Sequence, residues 1–99
     1  MSYSFVNKPA VNSDIEDAVD YYKTINPELA VAFLNRLKEA KKYIFDYPIG
    51  FQTKYKNVRT VFLKQFPYHI HYIVDDVKKQ IVVLAIIHAY KNPRDYSNR

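Results

Sequence analysis

The hydrophobic period of this chain changes once, at Asn57, and that change limits the fold more than any other feature. Before it, apolar residues recur at the 3.6 spacing of helices; after it they alternate with the period of strands. Ile15, Ala18, Val19, Tyr22 and Ile25 form one helical stripe. Leu29, Ala30, Phe33, Leu37, Ala40, Ile44 and Tyr47 form a second. Ser13-Asp14-Ile15-Glu16 has the form of a capping box, with Ser13 as N-cap and Glu16 reaching back to it. Asp14, Glu16 and Asp17 then fall in the first turn, where the helix dipole favours acid. Asn26-Pro27 breaks the first helix and opens the second, since proline's missing N–H costs nothing at the first helical position. Pro48 closes it. The expected product is a helical hairpin of about 35 residues.

Residues 48–57 read as a loop holding the only glycine, Gly50, expected where φ is positive. Val58 to Leu63, Tyr68 to Val74 and Ile81 to Ile87 read as three strands in meander, separated by Phe66-Pro67 and by Asp75-Asp76-Val77-Lys78-Lys79. The last is apolar on both faces and so is expected inside the sheet. Residues 2–8 read as a short strand ended by Pro9. The order β-α-α-β-β-β gives an α+β fold, with the helical hairpin on one face of a mostly antiparallel sheet. In the middle strand of the meander Tyr68, Ile70, Tyr72 and Val74 form the core face, which turns His69 and His71 away from the helices. Arg59 shares its face with Val61 and Leu63, and the pattern alone does not assign its side. The polar tail after His88 is expected to be partly mobile.

Ninety-nine residues suffice for one domain and one modest core. Ten Tyr and six Phe argue against disorder, and they place many phenols at the edge of the core. The absence of cysteine excludes disulfide and thiol chemistry and fits a reducing cytoplasm. Neither a leader segment nor an apolar run of about 18 residues is visible, so no membrane association is expected. Residues 1–50 hold six Lys/Arg against seven Asp/Glu, and residues 51–99 hold nine against three. The net charge of +5 therefore belongs to the second half, a surface suited to RNA or to an acidic protein. His69-x-His71 with His88 has some likeness to a zinc set. No cysteine supports it, and neither a metal nor a cofactor is expected. Paired catalytic carboxylates, a Ser-His-Asp arrangement and a phosphate-cradling glycine loop find no support.

In order and spacing the chain resembles the RelE/ParE toxin superfamily. The resemblance rests on Asp14-Ile15, Ala18 and Tyr21-Tyr22 in the first helix and on Phe33 and Leu37 in the second. It continues through Pro48-Ile49-Gly50 leading to Val58-Arg59, then Phe66-Pro67-Tyr68-His69-Ile70-His71-Tyr72. Val83-Leu84-Ala85-Ile86-Ile87-His88 and Asn92-Pro93-Arg94-Asp95 complete it. The resemblance implies a toxin of a type II toxin–antitoxin module, as encoded by plasmid stabilisation systems. Such a toxin is neutralised by a cognate antitoxin and arrests growth when free. It implies one of two targets: messenger RNA cut on the ribosome by RelE-like members, or DNA gyrase poisoned by ParE-like members. A homodimer and a toxin–antitoxin hetero-oligomer are both compatible with it. The alternative is a decayed, non-toxic relative that serves only as a protein-interaction module.

A metal-free ribonuclease needs a base, an acid and a group to stabilise phosphate charge. Arg59, His69, His88 and Tyr90 are the catalytic candidates under that reading. Lys54, Lys56, Lys64, His71, Lys91, Arg94 and Tyr96 are the candidates for binding nucleic acid or another target. The central strand of RelE-like toxins usually reads Tyr-Arg-x-x-Tyr, and His69 stands here where that arginine would be. The ending Ala85-Ile86-Ile87-His88 is closer to the ParE-like members. The three chemical expectations share one premise: Arg59, His69 and His71 lie on a bare sheet face.

Overall fold

Pro9 opens the first helix instead of merely ending the strand before it. In the computed structural model, which describes residues 3–90 and 94–99, α1 runs Pro9–Ile25 and α2 runs Pro27–Asp46. Proline suits the first helical position, and Val11, fully buried, needs this extra turn to reach the core. The capping box at Ser13 is therefore not used: Lys8 is the N-cap and no acid lies in the first turn. At α2 the expectation holds. Asn26 is the N-cap, its side chain accepts from the Glu28 N–H at 3.0 Å, and Pro27 follows.

The strands are β1 Ser4–Asn7, β2 Thr53–Tyr55, β3 Val58–Phe62, β4 Tyr68–Asp75 and β5 Gln80–His88. They form a mixed sheet in the order β1-β5-β4-β3-β2. β1 pairs parallel with β5, Phe5 opposite Ile81, while the meander β3-β4-β5 is antiparallel. The hairpin is the crossover that a parallel β1–β5 pair requires. The three-residue β2 lies in the segment read as a loop from sequence; it is too short to show a period. Gly50 does not have a positive φ. Its place is steric: an added Cβ would lie 3.1 Å from Tyr47 Cβ.

The core lies between the hairpin and one sheet face. Ala18, Phe33, Leu37 and Ile44 pack against Val61, Ile70, Tyr72, Ile81 and Ile86. Fully burying one such large side chain contributes roughly 1.5–3 kcal/mol. Tyr22, Phe33, Phe66 and Tyr68 form an aromatic cluster, with Tyr22 edge-on to Phe66 at 4.9 Å. Between β4 and β5 the register slips after His71, so that Leu84 has no partner. This bulge sends both Leu84 and Ala85 into a second, smaller cluster with Val58, Val82 and Tyr96. No described helix is long and apolar enough to cross a membrane.

Candidate functional site

The sheet face away from the hairpin is not bare. Residues 94–99 fold back across it, and Tyr96 sinks into the second cluster at 7% exposure. Three polar anchors hold the segment. Lys56 pairs with Asp95 at 2.6 Å, and the Asp95 carboxyl is held down at about 2 by Lys56 and then by Ser97. Arg99 pairs with Asp14 at 2.5 Å and donates to the Leu84 carbonyl at 3.1 Å. Asp14 also accepts the Ile86 N–H at 3.0 Å. β1 ends opposite Val83, and these two side chains satisfy the backbone groups of β5 beyond that point. The third anchor is the Tyr96 N–H, which donates to the Tyr55 hydroxyl at 3.2 Å.

From Tyr55 a chain of hydrogen bonds runs inward and back out. Its hydroxyl meets His71 Nδ1 at 2.9 Å, and His71 Nε2 meets His69 Nε2 at 2.9 Å. With Tyr55 assigned as the donor, one arrangement of protons satisfies both contacts. Tyr55 has one O–H, and His71 Nδ1 is its acceptor. His71 then carries its proton on Nε2 and donates to His69, which shows an N–H at Nδ1. Burial, with His69 and Arg99 nearby, lowers His71 to about 4; burial and Lys54 lower His69 in the same direction. Burial raises the Tyr55 phenol. The chain is therefore uncharged at neutral pH.

Beside it opens a cleft of ≈ 280 Å³ lined by Lys54, Tyr55, Thr60, Phe62, His69, His71, Ile87, His88, Ala89, Arg94 and Tyr96. The structure thus brings together Lys54, His69, His71, His88, Arg94 and Tyr96 out of the residues singled out from sequence. Their states differ. His71 is 5% exposed beneath Tyr55 and Tyr96, supports the cleft wall and turns its Nε2 to His69. Lys54 and Arg94 are exposed at the cleft, and Arg94 rests over the Tyr96 ring. His88 stands opposite Tyr68 and accepts from the Tyr90 N–H at 3.2 Å.

The remaining candidates lie elsewhere. Arg59 is opposite Tyr72 on the hairpin side, so the premise of one face shared with His69 and His71 is overturned. Its guanidinium donates to the Ile49 and Phe51 carbonyls, while the Tyr72 hydroxyl donates to the Pro48 carbonyl at 2.8 Å. Together they pin the loop before β2. Burial pushes the Tyr72 phenol to about 12, which keeps it a donor. Lys56 is engaged by Asp95, and Lys64 by Glu39 at 3.7 Å beside the Tyr43 ring. Tyr90 is 82% exposed and stacks edge-on to His88, outside the cleft. Lys91 lies outside the described residues, as do Asn92 and Pro93 of the family-like tail.

Sequence reasoning missed Tyr55, Asp14 and Arg99 as site residues. Tyr55 sits on a strand too short to read, and the Asp14–Arg99 pair spans 85 positions with no local signal. Chemically, the cleft offers two exposed cations, the His69 imidazole and an aromatic and aliphatic wall. Such a lining suits an anionic or carbonyl-bearing partner with an apolar part.

Solved structures share this fold, among them two toxin–antitoxin systems. The chromosomal ParDE toxin–antitoxin system from P. aeruginosa contains a chain with 23% identity and a TM-score of 0.75. The alignment covers 88% of this chain and 96% of that one. The RelBE2 toxin–antitoxin complex from Mycobacterium tuberculosis gives 14% identity and a TM-score of 0.59, covering 89% and 99%. Among curated proteins no sequence matches. The family model described as the ParE toxin of the type II toxin–antitoxin system parDE matches residues 6–93, and this chain belongs to that family.

Proposed function

We propose that this toxin acts in the cytoplasm on DNA gyrase, by contact and without bond chemistry of its own, and that a cognate antitoxin holds it inactive. The place of Arg59 is the observation that supports this target. A metal-free ribonuclease needs a fixed cation where phosphate charge develops. The Arg59 guanidinium is occupied by loop carbonyls on the other face. His69, standing where RelE-like toxins carry arginine, belongs to an uncharged chain. The ParE family match over residues 6–93 agrees with this reading.

Antitoxin binding is supported by the grooves along α2. One joins the exposed rings of Tyr43 and Phe62 with Arg36, Lys54 and Lys64. Another joins Phe5 and Phe45 with Lys38, Lys41 and Lys42. Aromatic floors rimmed by cations suit an acidic segment that folds as it binds.

The test is supercoiling by purified gyrase, with the protein added alone and with its antitoxin. Inhibition that the antitoxin relieves is the expected result. Intact supercoiling together with mRNA cut on translating ribosomes would refute the gyrase reading.

That second outcome has its own supporting observation, the gathering of Lys54, His69, His88, Arg94 and Tyr96 at one cleft. Under it His69 and His88 exchange protons with the RNA, Lys54 and Arg94 meet phosphate, and Tyr96 backs a base. His69→Ala or His88→Ala then abolishes cleavage, and Lys64→Ala does not. A decayed, non-toxic protein would give no growth arrest on expression.

A further inference from the structure

The His69–His71 pair carries an inference that does not depend on the target. We infer that the two Nε2 atoms form a clamp for one divalent transition-metal ion, with Cu²⁺ and Ni²⁺ preferred over Zn²⁺, its remaining positions open to the cleft. The sequence leads to an expectation of no metal, because no cysteine joins the one closely spaced histidine pair. Among the described residues no group of three metal-ligating side chains exists, and the clamp is a site of two.

Alternation on β4 puts both imidazoles on one face, two residues apart. The rings stand nearly perpendicular, at 88°, with centroids 4.3 Å apart. Their Nε2 atoms are separated by 2.9 Å. Metal–nitrogen bonds of about 2.0–2.1 Å to two atoms at that separation enclose an angle of about 90°. That is the angle of square or octahedral coordination, which Cu²⁺ and Ni²⁺ adopt. The order of intrinsic affinities also puts Cu²⁺ first.

The ligands are in the right form and have a support. Metal binding takes neutral imidazole, the form in which each ring offers a nitrogen lone pair. With an ion on Nε2, the His71 proton moves to Nδ1 and is donated to the Tyr55 oxygen. No net proton is released. Tyr55 then orients the ligand, as outer hydrogen-bond partners of metal-bound histidine do. Its oxygen then accepts from both His71 and the Tyr96 N–H, and its own O–H turns to water in the cleft it lines. The charged groups near the clamp, Lys54 and Arg99, oppose a bare cation. They favour an ion that keeps an anionic ligand, such as chloride, on its cleft side.

The experiment titrates the full chain with CuCl₂, NiCl₂ and ZnCl₂ by calorimetry, with electron paramagnetic resonance of the copper form. One ion per chain, two nitrogen ligands in the spectrum and the affinity order Cu²⁺, Ni²⁺, Zn²⁺ are expected. His69→Gln should remove binding while circular dichroism shows the fold intact. Tyr55→Phe should weaken binding about 10–100-fold by removing the outer partner. His88→Gln, which alters a cleft histidine outside the clamp, should leave affinity unchanged. Loss of binding in His88→Gln, full binding in His69→Gln, or a single nitrogen ligand in the wild-type spectrum would overturn the clamp.

Discussion

Acid should unfold this protein through His71 before it titrates the carboxylates. The imidazole is 5% exposed and accepts from Tyr55, and burial lowers it from an ordinary 6.5 to about 4. The lowered value means that the folded state refuses a proton the unfolded chain accepts. Stability therefore begins to fall as pH drops through 6.5, and it continues to fall until the folded group itself titrates near 4. One unit corresponds to about 1.36 kcal/mol, so the full loss is about 3 kcal/mol. His69 is displaced the same way and adds to it. Asp95 acts in another window, since a carboxyl held at about 2 loses its contribution only below its ordinary 3.8. Urea unfolding between pH 7.5 and 4 reads the effect. With a slope of about 1–3 kcal/mol per molar, the midpoint moves down by about 1–3 M. In His71→Gln, which keeps an acceptor for Tyr55 but does not titrate, most of that movement should vanish. Equal pH dependence in wild type and His71→Gln would refute the buried, neutral assignment.

The other predictions concern what holds the site in place. Arg59→Ala should cost about 1.5–3 kcal/mol by removing charged hydrogen bonds to the loop carbonyls, read as a lowered thermal midpoint. An exposed anion contact would instead lose no stability. Asp14→Asn should also cost about 1.5–3 kcal/mol and make residues 94–99 sensitive to carboxypeptidase, because Arg99 loses its partner. Deleting residues 94–99 should raise the His71 pKa towards 6.5, followed by NMR titration of its ring protons, as Tyr96 and Arg99 leave its surroundings. An unchanged titration would show that β2 and β3 alone bury it.

Sequence alone determined what depends on neighbours a few positions apart. The switch of period at Asn57 separated the hairpin from the meander. Asn26-Pro27 fixed the start of α2, and alternation through Tyr68–Val74 put His69 and His71 opposite the helices. Those signals are legible because the faces of a helix or strand repeat with the backbone's own geometry. Tertiary structure decided whatever depends on distant segments meeting. Pro9 could open a helix because Lys8 N–H bonds to Val83 O and Val11 reaches the core. Arg59 took the hairpin side because the Ile49 and Phe51 carbonyls were there to receive it. The tail covered the sheet because Asp14 and Lys56 waited for Arg99 and Asp95. A side chain's period announces its face, but its charge and partners are set by whichever remote backbone or ion arrives there, and that has no local pattern to read.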